Sequence, residues 1–132
     1  MSLDFSNKKV VIMGLGIAGG GAGAAKFFSE HGASVMVTDL KLKSQLEPSI
    51  SSLSTYSIEY ILGRHRHKDF KTADLIIRNP FVRHDSVYIQ TARSYGVPVE
   101  MSESLFMKLS PTKVQITPIG IILSDTAVVH WF

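Results

Sequence analysis

The sequence has 132 residues and no cysteine. Disulfide bonds, thiolate zinc sites and cysteine nucleophiles are therefore excluded, and a reducing compartment suits the chain. A large excess of one charge is also missing. The sequence has 14 Lys and Arg residues and 11 Asp and Glu residues, which gives a net charge of +3. The basic residues are scattered, so the sequence predicts no nucleic-acid-binding surface.

Long hydrophobic runs are absent as well. No segment approaches the roughly 20 unbroken apolar residues that a membrane-spanning helix needs, so no membrane interaction is predicted. Lys8 and Lys9, followed by the apolar run of residues 10–25, superficially match a secretory signal with an Ala-x-Ala end. Because glycines interrupt this run at fixed offsets and a second α/β unit follows it, we interpret it as part of the folded domain.

What is present is an alternation of short apolar runs with helical patterns, in a length that suits one domain. The runs predict β-strands at residues 9–13, 34–38, 57–62, 74–78 and 97–100. Helices are predicted at residues 17–31, around Pro48, at 85–95 and at 103–109. This alternation predicts the α/β class, with a Rossmann-like parallel sheet of about five strands and flanking helices.

A glycine-rich turn joins the first predicted strand to the first predicted helix. It reads Gly14-Leu15-Gly16-Ile17-Ala18-Gly19, and Asp39 ends the next predicted strand. In this context the pattern is typical of a nucleotide site, since Gly14 permits the tight turn and Gly16 lets backbone N–H groups approach phosphate oxygens. Asp39 would accept a hydrogen bond from a ribose hydroxyl or a base N–H. The alternative is that the glycines only pack the helix against the sheet.

Other chemistry-bearing residues give weaker signals. Residues 64–68 are the densest basic run, with His65 and His67 two positions apart. A third metal ligand is missing from the neighbouring sequence, so we predict a solvated loop and no metal site. No acid/base pair or nucleophilic triad can be matched, and no catalytic residue is assigned. Gly20, Gly21 and Gly23 each weaken helix propensity by about 1 kcal/mol, and packing would explain one of them.

Four blocks, taken together, resemble the N-terminal domain of the Mur ligase family. They lie at residues 9–19, 32–39, 73–82 and 96–106, and the resemblance extends over roughly residues 8–117. Each block is common alone, but the four in this order are fairly specific. The most similar branch of the family adds D-glutamate to UDP-N-acetylmuramoyl-L-alanine, a peptidoglycan precursor.

The resemblance implies a cytoplasmic protein that binds a UDP-sugar instead of a dinucleotide. By resemblance, the turn from Leu15 to Gly19 faces the pyrophosphate and Asp39, Leu40 and Lys41 lie beside the uridine. Asn79, Pro80 and the two residues after them form a neighbouring wall. Two positions depart from the family pattern. Phe81 stands where the family usually has a glycine, and Leu40 stands where the family often has a threonine.

The family pattern ends at residue 117. The family continues into an ATP-binding phosphate loop, Ile-Thr-Gly-Thr-x-Gly-Lys-Ser/Thr, whereas this chain has Pro118-Ile119-Gly120-Ile121 after Gln115-Ile116-Thr117. We expect residues 1–112 to form the UDP-substrate domain. Residues 113–132 would be the start of a missing ATP-binding domain, or an aberrant tail from a reading-frame change or an artificial junction. ATP and magnesium are then expected as cofactors of the full-length parent enzyme. For this truncated chain we expect no cofactor and no ligase activity.

Two further interpretations stay open. The same turn and Asp39 would serve an NAD-binding Rossmann domain of a dehydrogenase or regulatory protein. The chain could also be a noncatalytic α/β interaction module. The blocks downstream of the turn favour the UDP-sugar domain over both.

Overall fold

The fold is built around one parallel sheet. The computed structural model describes residues 4–16, 20–83 and 85–101, together with the backbone of two strands at 114–117 and 120–123. The sheet contains β1 (Lys9–Met13), β2 (Ser34–Asp39), β3 (Ile58–Leu62), β4 (Leu75–Arg78) and β5 (Val99–Met101). Its order is β3-β2-β1-β4-β5 and every neighbouring pair is parallel. The predicted five-stranded Rossmann-like α/β sheet is confirmed.

Four helices connect these strands. They are α1 (Gly20–Glu30), α2 (Lys43–Ser52), α3 (His67–Thr72) and α4 (Val87–Ser94). The predicted first helix is confirmed from Gly20 onward, while Ile17, Ala18 and Gly19 lie outside the described residues. The helix predicted at 103–109 also lies outside them.

The short helix α3 corrects the prediction of a solvated loop at residues 64–68. His67 begins this helix, and Arg66 forms a two-pronged ion pair with Asp69 at 2.8 and 2.9 Å. The Asp69 carboxylate and the Phe70 ring are both buried. A helix of six residues is too short to show the periodicity from which helices are predicted. The run of basic residues therefore led to the prediction of a loop.

The core lies on both faces of the sheet, and β1 contributes to each. Val10 and Ile12 pack in a cluster with α1 and α2 residues, whereas Val11 and Met13 pack in a second cluster with α3 and α4 residues. Successive strand side chains point to opposite faces, so a strand covered on both sides reads as a continuous apolar run. The two layers of helices leave the carboxyl edge of the sheet accessible.

The structure explains one of the three glycines in α1. A Cβ atom at Gly21 would stand 2.5 Å from the carbonyl oxygen of Gly14 and still nearer to that of Leu15. Gly21 therefore lets α1 start directly against the turn that follows β1. A Cβ atom at Gly20 or Gly23 would meet nothing within 4 Å, and nothing in the structure explains these two glycines.

A separate hairpin follows the parallel sheet in the chain. β6 (Val114–Thr117) pairs antiparallel with β7 (Gly120–Leu123), and the two form a sheet of their own. In the family pattern a strand at this place leads into a phosphate loop, whereas here it pairs with a returning strand. The predicted domain boundary at residue 112 stays a prediction.

Candidate functional site

A cleft of about 610 Å³ opens at the carboxyl edge of the sheet. The strand order reverses direction between β1 and β4, and ligands of open α/β sheets bind in the crevice at such a switch point. The volume lies within the usual range for small-molecule sites, about 300–1,000 Å³. The lining residues come from the ends of β1, β2 and β4, the segment after β3 and the start of α4.

The floor of the cleft is the turn after β1, which includes Gly14, Leu15 and Gly16. Gly14 has a φ of +91° and Gly16 a φ of +67°, a backbone region that favours glycine. The Gly14 N–H donates to the Thr38 carbonyl at 2.8 Å, and a Cβ atom at Gly14 would stand 2.8 Å from Asn79 Cβ. Glycine is thus required at position 14 for two reasons. It adopts the positive φ, and it lets the turn approach the Asn79 side chain closely.

The carboxylate of Asp39 holds this turn against the end of β2. Its Oδ2 accepts hydrogen bonds from the N–H groups of Leu15 at 2.8 Å and Gly16 at 3.4 Å. Its Oδ1 accepts one from the Lys41 N–H at 2.8 Å, and the residue is only 8% exposed. Asp39 therefore organises the turn, a role that the sequence did not indicate. A hydrogen bond from a ligand to Asp39 stays a prediction.

Ser49 on α2 is a second residue that positions the turn. Its hydroxyl donates to the Gly16 carbonyl at 2.6 Å, and the residue is buried. The two sides of Gly16 are thus held by different elements, its N–H by Asp39 and its carbonyl by Ser49. A serine 33 residues downstream carries no sequence signal for this contact.

Asn79 builds the neighbouring wall of the cleft. Its side-chain oxygen accepts from the Phe81 N–H at 2.9 Å, and its side-chain nitrogen donates to the Gly14 carbonyl at 3.3 Å. The Val82 N–H donates to the Asn79 carbonyl at 2.9 Å. The segment 79–82 is therefore a fixed turn bonded to the floor. Pro80 is exposed and does not line the cleft.

His65 enters the cleft because the segment after β3 crosses the end of β2. Asp39 and Arg64 form a β-bridge, and the Gly63 N–H donates to the Asp39 carbonyl at 2.9 Å. The Thr38 hydroxyl contacts both the Arg64 carbonyl at 3.2 Å and Nδ1 of His65 at 2.7 Å, so it ties the imidazole to the end of β2. The prediction of a solvated loop was wrong for His65, which is half-buried and lines the cleft.

Burial lowers the pKa of His65 from its ordinary value of 6.5, and the nearby Asp39 carboxylate offsets part of this effect. Below about pH 6.5 the unfolded chain takes up a proton that the folded chain resists, so stability falls as the pH drops from 6.5 to the lower folded pKa. We expect His65→Gln to reduce this acid-side loss in unfolding free energy, measured by urea titration at several pH values. His67→Gln, at an exposed ring, is the matched control, and an equal effect of both changes would contradict the assignment.

Positive charge lies at the mouth of the cleft. Lys41 and Arg83 both line it and both are exposed. Arg83 pairs with Asp85 at 2.8 Å, but the two side chains are 82% and 49% exposed, so the pair restrains Arg83 weakly. An anionic ligand would meet two exposed cations beside the turn. Leu40, Lys41 and Asn79, all predicted from the sequence, are brought together with Asp39 at this edge.

Two other classes of site are absent from the described residues. Across 4–16, 20–83 and 85–101, no three His, Asp or Glu side chains are grouped so that they could hold a metal ion. Within the same part of the chain, no helix has the length and apolar character needed to cross a bilayer.

The chain is similar to curated ligases over most of its length. It is 40% identical over 109 residues to a UDP-N-acetylmuramoylalanine--D-glutamate ligase of Roseiflexus sp., matching 83% of this chain and 23% of that protein. It is 45% identical over 106 residues to the ligase of the same name of Treponema pallidum, matching 79% of this chain and 20% of that protein. The chain therefore spans about a fifth to a quarter of the curated relatives it matches.

Solved structures show the same fold at lower identity. UDP-N-acetylmuramate-alanine ligase of Thermotoga maritima superposes with a TM-score of 0.55 and 23% identity, over 72% of this chain and 21% of that one. A precorrin-2 dehydrogenase superposes with a TM-score of 0.54 and 15% identity, over 96% of this chain and 60% of that one. Because ligase and dehydrogenase both match, the fold alone does not separate the two functions.

The family model distinguishes what the fold does not. The model described as "Mur ligase MurD-like, N-terminal domain" matches residues 8–100, which include β1 to β4, most of β5 and the turn at the carboxyl edge of the sheet. The resemblance seen in the sequence is thereby confirmed. This chain belongs to the MurD-like N-terminal domain family of the Mur ligases.

Proposed function

We propose that this domain binds UDP-N-acetylmuramoyl-L-alanine, or a related UDP-sugar, as the substrate domain of a peptidoglycan-precursor D-glutamate ligase. The observation that carries the proposal is the glycine turn on the floor of the cleft, held by Asp39 and Ser49 and flanked by Lys41 and Arg83. The curated relatives are named for ligation of D-glutamate to this precursor.

The turn supplies the contacts for a diphosphate. The Gly16 N–H lies at 3.4 Å from Asp39, beyond the usual 2.7–3.2 Å, so it is the less strongly held of the two turn amides. A phosphate oxygen at this place would meet that N–H and the N-terminal end of α1, where the helix dipole favours negative charge. Lys41 and Arg83 would add attraction from the rim. Asp39, Leu40 and Lys41 would then border the uridine.

An NAD-binding role is the second candidate, because Asp39 stands at the end of β2, where such domains bind the adenosine ribose. The Asp39 carboxylate, however, already accepts three backbone N–H groups. A carboxylate offers about four lone-pair positions, so paired ribose hydroxyls would have to displace contacts that hold the turn. The geometry therefore favours a ligand that approaches the turn chiefly through its phosphates.

The proposal extends to the parent enzyme. A ligase of this kind would use ATP and magnesium to activate the substrate carboxylate, and residues outside this domain would supply the ATP and amino-acid sites. We propose that the chain works in the cytoplasm, which suits its lack of cysteine. By itself it would bind the UDP-sugar without ligating it.

The test is a comparison of ligands by thermal unfolding and calorimetry. We expect UDP and UDP-N-acetylmuramoyl-L-alanine to raise the unfolding temperature, whereas NAD and NADP leave it nearly unchanged. At ten times the dissociation constant the stabilisation is about 1.4 kcal/mol, a shift of several degrees for a domain of this size. Tight binding of NAD without binding of UDP would overturn the proposal in favour of a dehydrogenase domain.

A further inference from the structure

Two large apolar side chains stand exposed at the cleft. Phe81 is 92% exposed and Leu40 is 66% exposed, and both line it. Other exposed apolar residues, such as Tyr95 at 61%, lie outside the lining. Apolar surface left in water beside a binding cleft marks a place where a ligand is expected to cover it.

The two side chains belong to opposite sides of the floor. Leu40 directly follows β2 and Phe81 comes shortly after β4, while β1 with its glycine turn runs between these strands. Neighbouring strands lie about 4.8 Å apart, so the ends of β2 and β4 are separated by roughly 10 Å. A flat ring with carbon contacts of about 3.5–4.0 Å on each face fills about 7–8 Å. Two side chains rising from strand ends this far apart can seat one planar ring between them.

The backbone beneath Phe81 is fixed although its ring is exposed. The Phe81 N–H is bonded to the Asn79 side chain at 2.9 Å, and the next residue returns a hydrogen bond to the Asn79 carbonyl at 2.9 Å. The ring is therefore carried on an ordered turn and needs no core packing to stay at the rim. Ordering such a residue on a ligand costs little beyond the rotation of its own side chain.

We propose that Phe81 and Leu40 hold the nucleobase of the bound nucleotide by its two flat faces. This inference rests on the proposed function, and it assigns the base affinity to stacking at positions where the family pattern has a glycine and often a threonine. Neither side chain can hydrogen-bond to the edge of a base. This pair of side chains, Phe81 and Leu40, forms a clamp that recognises a planar ring. The clamp discriminates weakly among uracil, cytosine and thymine.

The experiment compares two ligands that differ mainly in stacking. UDP carries a planar uracil, whereas 5,6-dihydrouridine diphosphate keeps the same edge carbonyl and N–H groups on a puckered, non-aromatic ring. Base–aromatic stacking corresponds to about 5- to 150-fold in affinity. We expect the wild-type chain to prefer UDP by roughly tenfold, and Phe81→Ala to lower UDP affinity and remove the preference. Tyr95→Ala, which removes an exposed ring outside the cleft, should change neither value.

The outcomes separate this inference from the proposed function. If the wild-type chain binds no UDP, the proposed function fails and the clamp fails with it. If it binds UDP without preferring the planar base, or if Phe81→Ala keeps the preference, the clamp is wrong and the proposed function stands. Phe81→Trp adds a spectroscopic check, since UDP should quench the new indole in excess of any change in the wild-type chain, and inorganic pyrophosphate should not.

Discussion

Gly16→Val is expected to abolish UDP binding, with a loss of roughly 100-fold or more. Gly16 has a φ of +67°, and a Cβ atom there would stand 3.3 Å from the Asn79 side-chain nitrogen. A branched side chain would fill the space between floor and wall where a phosphate oxygen must reach the turn N–H. Isothermal calorimetry with UDP measures the loss.

The matched control is Gly96→Val. Gly96 has a φ of +74°, but a Cβ atom there meets nothing within 4 Å and the residue lies at the end of α4, outside the cleft. Both variants carry a similar backbone penalty, about 1–3 kcal/mol, so both should unfold at lower temperature. We expect Gly96→Val to keep its affinity for UDP. A folded Gly16→Val chain that binds UDP normally would place the ligand away from this turn.

The second large effect is an absence of turnover. We expect this chain to release no phosphate above background when supplied with ATP, magnesium, UDP-N-acetylmuramoyl-L-alanine and D-glutamate. Phosphate transfer of this kind needs a glycine-rich loop whose N–H groups cradle the phosphates, a lysine that reaches them and a hydroxyl on magnesium. Here β7 occupies Gly120–Leu123, where such a loop would follow β6.

A full-length ligase such as that of Treponema pallidum provides the positive control for this assay. The 132-residue chain should still bind the UDP-sugar under the same conditions, which shows that inactivity does not come from unfolding. Phosphate release by the purified chain, coupled to ligation of D-glutamate, would contradict the proposal that the ATP and amino-acid sites lie elsewhere.

The positions of β1, β2 and β4 were predictable because burial on both faces leaves an uninterrupted apolar run. The first strand was predicted at residues 9–13, and β1 has those bounds. The weaker pattern at the fifth strand gave residues 97–100, whereas β5 covers Val99–Met101. Helix α3 was missed, because its stability depends on an Arg66–Asp69 ion pair and on burial of Phe70, which only the tertiary structure reveals.

The cleft was predicted in part. The glycine turn and Asp39 were identified because a strand followed by glycines or by an acid marks the carboxyl edge, and Asn79 was placed beside them by the family resemblance. The use of Asp39 to bind the turn amides, and the contact from Ser49, depend on side-chain directions that the sequence does not specify. His65 was assigned to solvent because its basic neighbours suggested a loop, although Thr38 and Tyr88 hold it in the cleft.

The sheet order also bears on how the chain is made. The central strand, β1, leaves the ribosome before the other four strands of the sheet. Its partner β4 follows some sixty-five residues later, as the pairing of Val10 with Leu75 shows. At about 5–20 residues per second, β1 waits roughly 3–13 s for that neighbour. During this time one edge of an apolar strand is unpaired, and the wall formed by Asn79 cannot meet the turn. The cleft is therefore completed only after β4 and the Asn79 turn have been synthesised.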